Sequence, residues 1–152
     1  MIYMEKPEWS LDELKHKAEN YCVNAERCCS EVKNKLLQWG ANENYIEDIL
    51  IHLQQHKYID EARYCRAFAH DKINYQGWGK LKIKVALQTK HLSALFIEDA
   101  LESIDEIEYN QALDKIIASK KHTLKNDPLA REKLIRFCMQ RGFTYNEIST
   151  KL

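Results

Sequence analysis

The chain has 152 residues, which is enough for one ordinary domain or for a short array of units that share a core. Its 23 basic and 23 acidic side chains give no net charge, which excludes a histone-like protein that binds nucleic acid through uniform positive charge. With only four glycines and two prolines, the chain lacks the many tight turns of an all-β domain and the composition of a disordered linker. A helical protein is expected.

Helix-start and helix-end signals divide the chain into nine predicted helices. Ser10 with Glu13 and Thr144 with Glu147 have capping-box spacing, Asn44 with Glu47 offers similar chemistry, and Asp127 precedes a proline. Gly40 and Gly142 can end helices in the left-handed conformation. Apolar residues recur at helical spacing between these signals. The predicted helices are 11–22, 30–39, 44–56, 60–75, 79–90, 93–104, 107–124, 128–141 and 144–152.

An internal repeat organises these helices into three groups. Gly40, His91 and Gly142 lie 51 residues apart, and each is followed six residues later by an isoleucine. A period near 50 residues is typical of stacked helical arrays, in which each unit buries its apolar face against the next. The sequence therefore predicts an all-α, elongated array of three tandem three-helix repeats, at residues 10–57, 58–105 and 106–152, after a tail of residues 1–9.

Charge is concentrated in blocks along the chain. Residues 57–90 carry eight basic and three acidic side chains, residues 91–114 carry seven acidic and no basic ones, and residues 115–145 carry eight basic and two acidic. Such blocks can be solvated helix faces, or they can dock on a charged protein assembly or on nucleic acid.

No catalytic or metal-binding motif is convincing. His52 and His56 have the i, i+4 spacing that zinc can use, but Leu53 stands where a zincin needs glutamate and no third ligand is evident. Gly77 and Gly79 lack the rest of a phosphate-binding loop. The five cysteines include no C-x-x-C pair, and we expect them to be reduced and buried. We predict neither an enzyme, nor a cofactor, nor a bound metal.

The start of the chain does not resemble a signal peptide, and no apolar stretch is long enough to span a membrane. A cytoplasmic monomer that does not contact membranes is therefore expected.

The segment from residue 58 to residue 92 resembles the RecX family, small regulators of the bacterial recombinase RecA. The family pattern has two parts. The first, an aromatic residue followed by a helix start, is matched by Tyr58, Ile59, Asp60, Glu61, Arg63 and Tyr64. The second, a glycine followed by basic and apolar residues and a helix end, is matched by Gly79, Lys82, Ile83, Leu87, Lys90 and Leu92. Cys65, Ala86 and His91 depart from the pattern, which usually has alanine, glutamate and glycine there. Because histidine can adopt the left-handed conformation at modest cost, we expect the turn at His91 to survive.

The resemblance implies a non-catalytic RecA inhibitor that acts in DNA repair, recombination and the SOS response. Such a protein binds in the groove of the RecA–DNA filament and limits filament growth, ATP hydrolysis and strand exchange. Weak contact with single- or double-stranded DNA is a further expectation. The candidate residues for contacts with RecA or DNA are Arg63, Arg66, Lys80, Lys82, Lys84, Lys90, Lys120, Lys121, Arg136 and Arg141. The acidic block would meet basic patches on the recombinase.

The alternative is a helix-turn-helix regulator that binds DNA directly. Short helices joined by tight turns suit it, but the two candidate recognition helices, 44–56 and 93–104, carry acidic residues that phosphates would repel. An unrelated helical scaffold is a third interpretation.

Overall fold

The computed structural model describes residues 8–152, which form nine helices and no strand. The predicted tail of residues 1–9 falls mostly on residues 1–7, which lie outside the described residues. The helices are α1 (Leu11–Asn24), α2 (Cys29–Gln38), α3 (Glu43–Gln55), α4 (Glu61–Gln76), α5 (Lys80–Thr89), α6 (Ala94–Glu102), α7 (Glu106–Thr123), α8 (Ala130–Gln140) and α9 (Tyr145–Ser149). The prediction of an all-α fold is confirmed, and most helix ends lie within two residues of their predicted positions.

Two of the four predicted helix starts, at Ser10 and Thr144, are confirmed by hydrogen bonds. The Ser10 hydroxyl accepts from the Glu13 amide at 3.1 Å, and Thr144 and Glu147 form a full capping box. The Asp60 carboxylate accepts from the Arg63 amide at 3.0 Å at the start of α4. These side chains satisfy backbone amides that have no partner within the helix.

Two predicted starts are wrong. The cap of α3 is Asn42, whose side-chain oxygen accepts from the Asn44 amide at 2.9 Å, so Asn44 lies inside the helix. Asp127 does not cap α8 directly. Its carboxylate accepts from the Leu129 amide at 2.8 Å and closes a turn before the helix, which begins two residues later than predicted.

The same turn occurs three times, at the ends of α2, α5 and α8. Gly40, His91 and Gly142 all have positive φ, at 78°, 64° and 99°. In each turn the amide of the next residue donates to the carbonyl five residues back, which is the Schellman arrangement of a helix end. The next helix is capped two residues after each turn, by Asn42, Ser93 and Thr144. The expectation that His91 keeps the turn is confirmed.

The chain divides into two compact units, Met1–Tyr64 and Cys65–Leu152. The boundaries of the three predicted repeats stay a prediction. In the first unit, α3 packs against both α1 and α2. The core of this unit contains six side chains without solvent exposure, from three helices: Leu14, Ala18, Val32, Leu36, Ile49 and Leu53. Apolar burial of this kind is the main stabilising contribution to the unit.

In the second unit α5 packs against α6, and α8 packs against α7 and α9. Its fully buried side chains include Ile83, Leu87 and Ile148. Two backbone hydrogen bonds join the start of α5 to the turn between α8 and α9: the Gly79 amide donates to the Arg141 carbonyl at 2.7 Å, and the Leu81 amide donates to the Gly142 carbonyl at 3.1 Å. The two backbones can approach so closely because both Gly79 and Gly142 lack a Cβ atom.

The predicted burial of the cysteines is confirmed for four of the five. Cys22, Cys28, Cys65 and Cys138 are buried, and Cys29 is half-buried on the first turn of α2. Burial raises the pKa of the Cys22 thiol to about 11, and burial together with the nearby Glu61 carboxylate raises the pKa of Cys29 to about 12. Thiols with such pKa values are poor nucleophiles at neutral pH.

Candidate functional site

The ten basic side chains predicted from the sequence lie on both units. Arg63 belongs to the first unit, and the other nine belong to the second. In the second unit they are distributed over four helices, and two of them, Lys90 and Arg141, lie at helix ends. Arg66 is on α4; Lys80, Lys82 and Lys84 are on α5, with Lys90 at its end; Lys120 and Lys121 are on α7; Arg136 is on α8, with Arg141 at its end. The structure therefore does not gather them into a single cluster.

At least four of the ten candidates form ion pairs with acidic side chains of this chain. The Nε atom of Arg63 lies 2.6 Å from Glu26 Oε1 in the first unit. In the second unit, Arg66 pairs with Asp99, Lys80 with Glu106 and Lys84 with Glu98. Because these pairs are partly exposed, each contributes little to stability, on the order of 0–1 kcal/mol. Their charge is nevertheless partly neutralised before any partner binds.

The acidic block of residues 91–114 does not form a separate acidic surface. Glu98, Asp99 and Glu106 pair with basic side chains of α4 and α5, and Asp114 pairs with Lys151 at 2.7 Å. The alternation of charge along the sequence thus becomes internal pairing in the second unit. This reduces the acidic charge that could meet basic patches on a partner.

Lys80 is fixed in place by more than its ion pair. Its backbone amide donates to the hydroxyl of Tyr109 at 3.1 Å, and its Nζ atom lies 4.8 Å from the centre of the Tyr109 ring. Burial raises the pKa of Tyr109, so its hydroxyl stays protonated in the physiological range. These contacts give Lys80 a structural role at the start of α5.

Lys82 lies in a group of cations and aromatic rings at the junction of α4 and α5. The Nζ atoms of Lys82 and Lys72 lie 4.5 and 4.8 Å from the centre of the Trp78 ring. The Trp78 ring meets Phe68 edge to face with 6.2 Å between centres. Trp78 therefore packs at a helix junction, and both it and Phe68 are half-buried.

Lys120 and Arg141 come together at the ring of Phe137. The Lys120 Nζ atom lies 4.6 Å and the Arg141 Cζ atom 5.0 Å from the ring centre. Arg141 also donates from Nη1 to the Gln76 carbonyl at 2.8 Å. All four residues belong to the second unit, and the side chains of Lys120, Phe137 and Arg141 line a groove of about 680 Å³.

Three candidates remain. Lys121 and Arg136 are exposed on α7 and α8, and Lys90 is half-buried at the end of α5. Within residues 8–152, no carboxylate lies within 4.0 Å of the charged groups of Lys82, Lys120, Lys121, Arg136 or Arg141. The charge of these five cations is therefore not neutralised by a carboxylate among the described residues.

The two histidines with zinc-like spacing contact each other and an acidic residue in the first unit. The rings of His52 and His56 are 4.6 Å apart, and His52 Nε2 lies 3.5 Å from Glu19 Oε2. In the part of the chain that the structure describes, no group of three histidine, cysteine or acidic side chains is placed to hold a metal ion. Nor does any described helix have the length and apolar character needed to cross a membrane.

Comparison with known proteins relates this chain to one family. Residues 60–101 match the model of the RecX second three-helix domain. Regulatory protein RecX of Clostridium tetani is 30% identical over 126 residues, which are 80% of this chain, and that of Clostridium botulinum strain Eklund 17B is 32% identical over 122 residues, which are 78% of this chain. This chain belongs to the RecX family. The chain spans 57% of the length of each of these two relatives.

Solved RecX structures share the fold. The crystal structure of RecX from Lactobacillus salivarius superposes with a TM-score of 0.81 at 22% identity and covers 92% of both chains. A second crystal structure of a regulatory protein RecX also gives a TM-score of 0.81, at 21% identity, over 91% of this chain and 73% of that one. This chain therefore shares its fold with these two RecX proteins.

Sequence reasoning missed one further cluster of cations and aromatic rings, in the first unit. The Nζ atom of Lys17 lies 4.1 Å from the centre of the Trp9 ring and 4.5 Å from that of Trp39. Arg27 stacks on Tyr21 with 3.9 Å from its Cζ atom to the ring centre. Helical spacing provides a partial signal, because Lys17 and Tyr21 are four residues apart on α1. The distance in sequence between Trp9 and Trp39 hides the rest.

Proposed function

We propose that this chain is a non-catalytic regulator that inhibits the RecA recombinase by binding in the groove of the RecA–DNA filament. The observation that carries the proposal is its membership of the RecX family, whose relatives are named regulatory proteins. The all-helical fold and the buried, unreactive thiols agree with a binding role. Inhibition would limit filament growth, ATP hydrolysis and strand exchange.

The surface of the second unit supports a role in which charged groups meet a polymer. Lys82, Lys120, Lys121, Arg136 and Arg141 are distributed over α5, α7 and α8 without a carboxylate within 4.0 Å among residues 8–152. Cations without such partners attract carboxylates of a protein filament or phosphates of DNA. Several weak contacts with successive protomers would add through effective concentration, so that no single contact must be strong.

The decisive experiment measures ATP hydrolysis by the cognate RecA on single-stranded DNA with increasing amounts of this chain. We expect inhibition at fewer than one chain per RecA protomer. The Lys82→Glu, Lys120→Glu double variant should need at least about tenfold more protein for the same inhibition, since two reversed contacts of about 0.7 kcal/mol each give this factor. The control is a Lys33→Glu, Lys125→Glu double variant, because both lysines are exposed and outside the ten candidates. Unchanged hydrolysis at a molar excess of the chain would contradict the proposal.

The same preparation tests the alternative of direct DNA recognition. Helix α6, which the tight turn at His91 precedes, carries Glu98, Asp99 and Glu102, which would face phosphates in a major groove. We expect duplex binding without RecA to be weak, independent of sequence and lost with rising salt. Tight, sequence-selective binding would instead favour a helix-turn-helix regulator.

A further inference from the structure

The groove of about 680 Å³ in the second unit is built from three elements. The end of α4 forms one side, one face of α7 forms its length, and Phe137 and Arg141 form the other side. The lining residues of α7 recur at helical spacing from Glu108 to Thr123, and the part from Gln111 to Thr123, beyond Glu108, has a length of about 18 Å at 1.5 Å per residue. Six residues of extended peptide at about 3.3 Å each span the same length.

The charge of the groove is unevenly distributed along α7. Lys115, Lys120 and Arg141 line it, and no carboxylate within residues 8–152 lies within 4.0 Å of their charged groups. Glu108, the acidic residue of the lining, lies about 18 Å from Lys120 along the helix axis. Most of the groove therefore attracts negative charge.

Apolar side chains lie between these cations, in a lining that is otherwise polar. Ile73, Ala112, Ile116 and Phe137 contribute hydrocarbon surface to the groove. The Tyr75 side chain belongs to the same lining and is 81% exposed. An exposed aromatic residue beside an apolar surface is typical of protein–protein contact sites.

The contacts at Phe137 distinguish between two kinds of anionic ligand. Lys120 and Arg141 already contact this ring, so a nucleotide base would compete with both cations for stacking. Carboxylates could bind to the same cations without moving them, while neighbouring apolar side chains occupy the walls. A short acidic segment that also carries apolar residues therefore fits better than a nucleic-acid strand.

We propose that this groove binds an extended acidic segment of a partner protein, about six residues long and with apolar side chains among its carboxylates. The carboxylates bind to Lys115, Lys120 and Arg141, and the apolar side chains pack against Ala112 and Ile116. This goes beyond the proposed function, because it assigns a separate peptide site that operates without DNA or ATP.

The test is fluorescence anisotropy with a labelled eight-residue probe of four glutamates, three leucines and one phenylalanine. A control probe has serine at the four apolar positions, and a labelled oligothymidylate represents nucleic acid. We expect the full-length chain to bind the first probe at least about tenfold more tightly than either of the others. If the serine probe bound equally well, binding would depend on charge alone, and the proposal would be overturned. Preferential binding of the oligothymidylate would overturn it as well.

Two pairs of variants locate the site. Lys115→Glu with Lys120→Glu should weaken binding of the first probe at least about tenfold, whereas Lys121→Glu with Lys125→Glu, which makes the same charge change outside the lining, should weaken it less than about threefold. Ser119→Trp should block the groove without changing its charge.

The control for that block is Ala118→Trp, on the neighbouring exposed position outside the lining. Equal effects within either pair would overturn the proposal, as would no detectable binding of the first probe to the unmodified chain. Self-association of the chain that is abolished by Ser119→Trp would show that the occupant is a second copy instead. Because none of these measurements includes RecA, they can fail or succeed independently of the ATP hydrolysis assay.

Discussion

The close contact between Gly79 and Gly142 makes a sharp prediction about stability. A Cβ atom added to Gly79 would lie 2.3 Å from both the carbonyl carbon and the oxygen of Gly142, and 2.5 Å from the Phe143 nitrogen. All three atoms are backbone, so no side-chain rotation can relieve the overlap. Gly79→Ala must therefore push the start of α5 away from the turn between α8 and α9.

The cost can be estimated from what this displacement breaks. Overpacking a close contact costs about 1–3 kcal/mol. The hydrogen bonds from the Gly79 amide to the Arg141 carbonyl and from the Leu81 amide to the Gly142 carbonyl contribute about 1 kcal/mol each. We expect Gly79→Ala to lower the free energy of unfolding by about 3–5 kcal/mol, a large part of the 5–15 kcal/mol typical of a domain.

The matched control is Gly40→Ala, at the corresponding turn of the first unit. Gly40 has a φ of 78°, but no atom lies within 4 Å of an added Cβ. It should therefore cost only about 1–2 kcal/mol, the conformational penalty of a left-handed alanine. Gly79 has an ordinary φ of −84°, so conformation alone would predict the opposite order.

Urea denaturation followed by circular dichroism measures both changes, and hydrogen exchange of the Leu81 amide reports the contact itself. We expect Gly79→Ala to accelerate that exchange strongly and Gly40→Ala to leave it unchanged. If Gly79→Ala cost less than Gly40→Ala, the close approach of the two backbones would be disproved.

Three further predictions concern single positions. His91→Gly should raise the free energy of unfolding by about 1 kcal/mol in thermal denaturation, because it removes a left-handed side chain; a decrease would show that the imidazole makes compensating contacts. Thr144→Ala should lower it by about 1 kcal/mol, and Thr144→Ser should restore most of the loss, since the hydroxyl cap of α9 is retained; equal losses would exclude the cap as the cause. The pKa values of Cys22 and Cys29 are raised to about 11 and 12 in the folded chain, so the unfolded chain releases these protons at lower pH than the folded chain does. The free energy of unfolding should therefore fall as the pH rises above about 9, by at most about 1.4 kcal/mol per pH unit for each thiol. Cys22→Ala should flatten that decline in urea titrations at pH 8–11.

The helical architecture was predictable because its signals are local. Apolar spacing, caps and left-handed turn residues act within a few positions of one another, and they place most helix ends within two residues. The errors have the same origin. Asn42 and Asn44 are both good caps, and only the preceding turn at Gly40 decides that the first of them is used.

The candidate site was harder to predict because it depends on contacts between distant residues. The sequence shows that Arg66 and Lys84 are basic, but it does not show that Asp99 and Glu98 lie opposite them. Blocks of like charge in sequence can become neutral pairs in space when helices pack side by side. A prediction based on charge alone therefore overestimates the positive surface of α4 and α5.

The groove in the second unit could not be predicted from the sequence, because it too depends on contacts between distant residues. Its face on α7 includes Ala112, Ile116 and Ser119, and a mixed stripe of this kind reads as an ordinary half-buried helix face. Gly77 contacts Ile116 in the lining of the groove, where an added Cβ would lie 2.6 Å from the isoleucine Cδ1 atom. Gly77 is 39 residues away in sequence, so the stripe gives no sign of this contact.

The three equivalent turns show how one backbone shape can be kept for different reasons. Gly40, His91 and Gly142 share a positive φ and the same helix-end hydrogen bond, so conformation alone would make glycine equally favourable at all three. Space distinguishes them, because an added Cβ meets nothing at Gly40 but would lie 2.5 Å from the Cβ of Lys82 at Gly142. A side chain is already present at position 91 and would meet no steric overlap at position 40. At position 142 glycine is required both by the turn and by the α5 backbone, which would have to move before any other residue could be accepted.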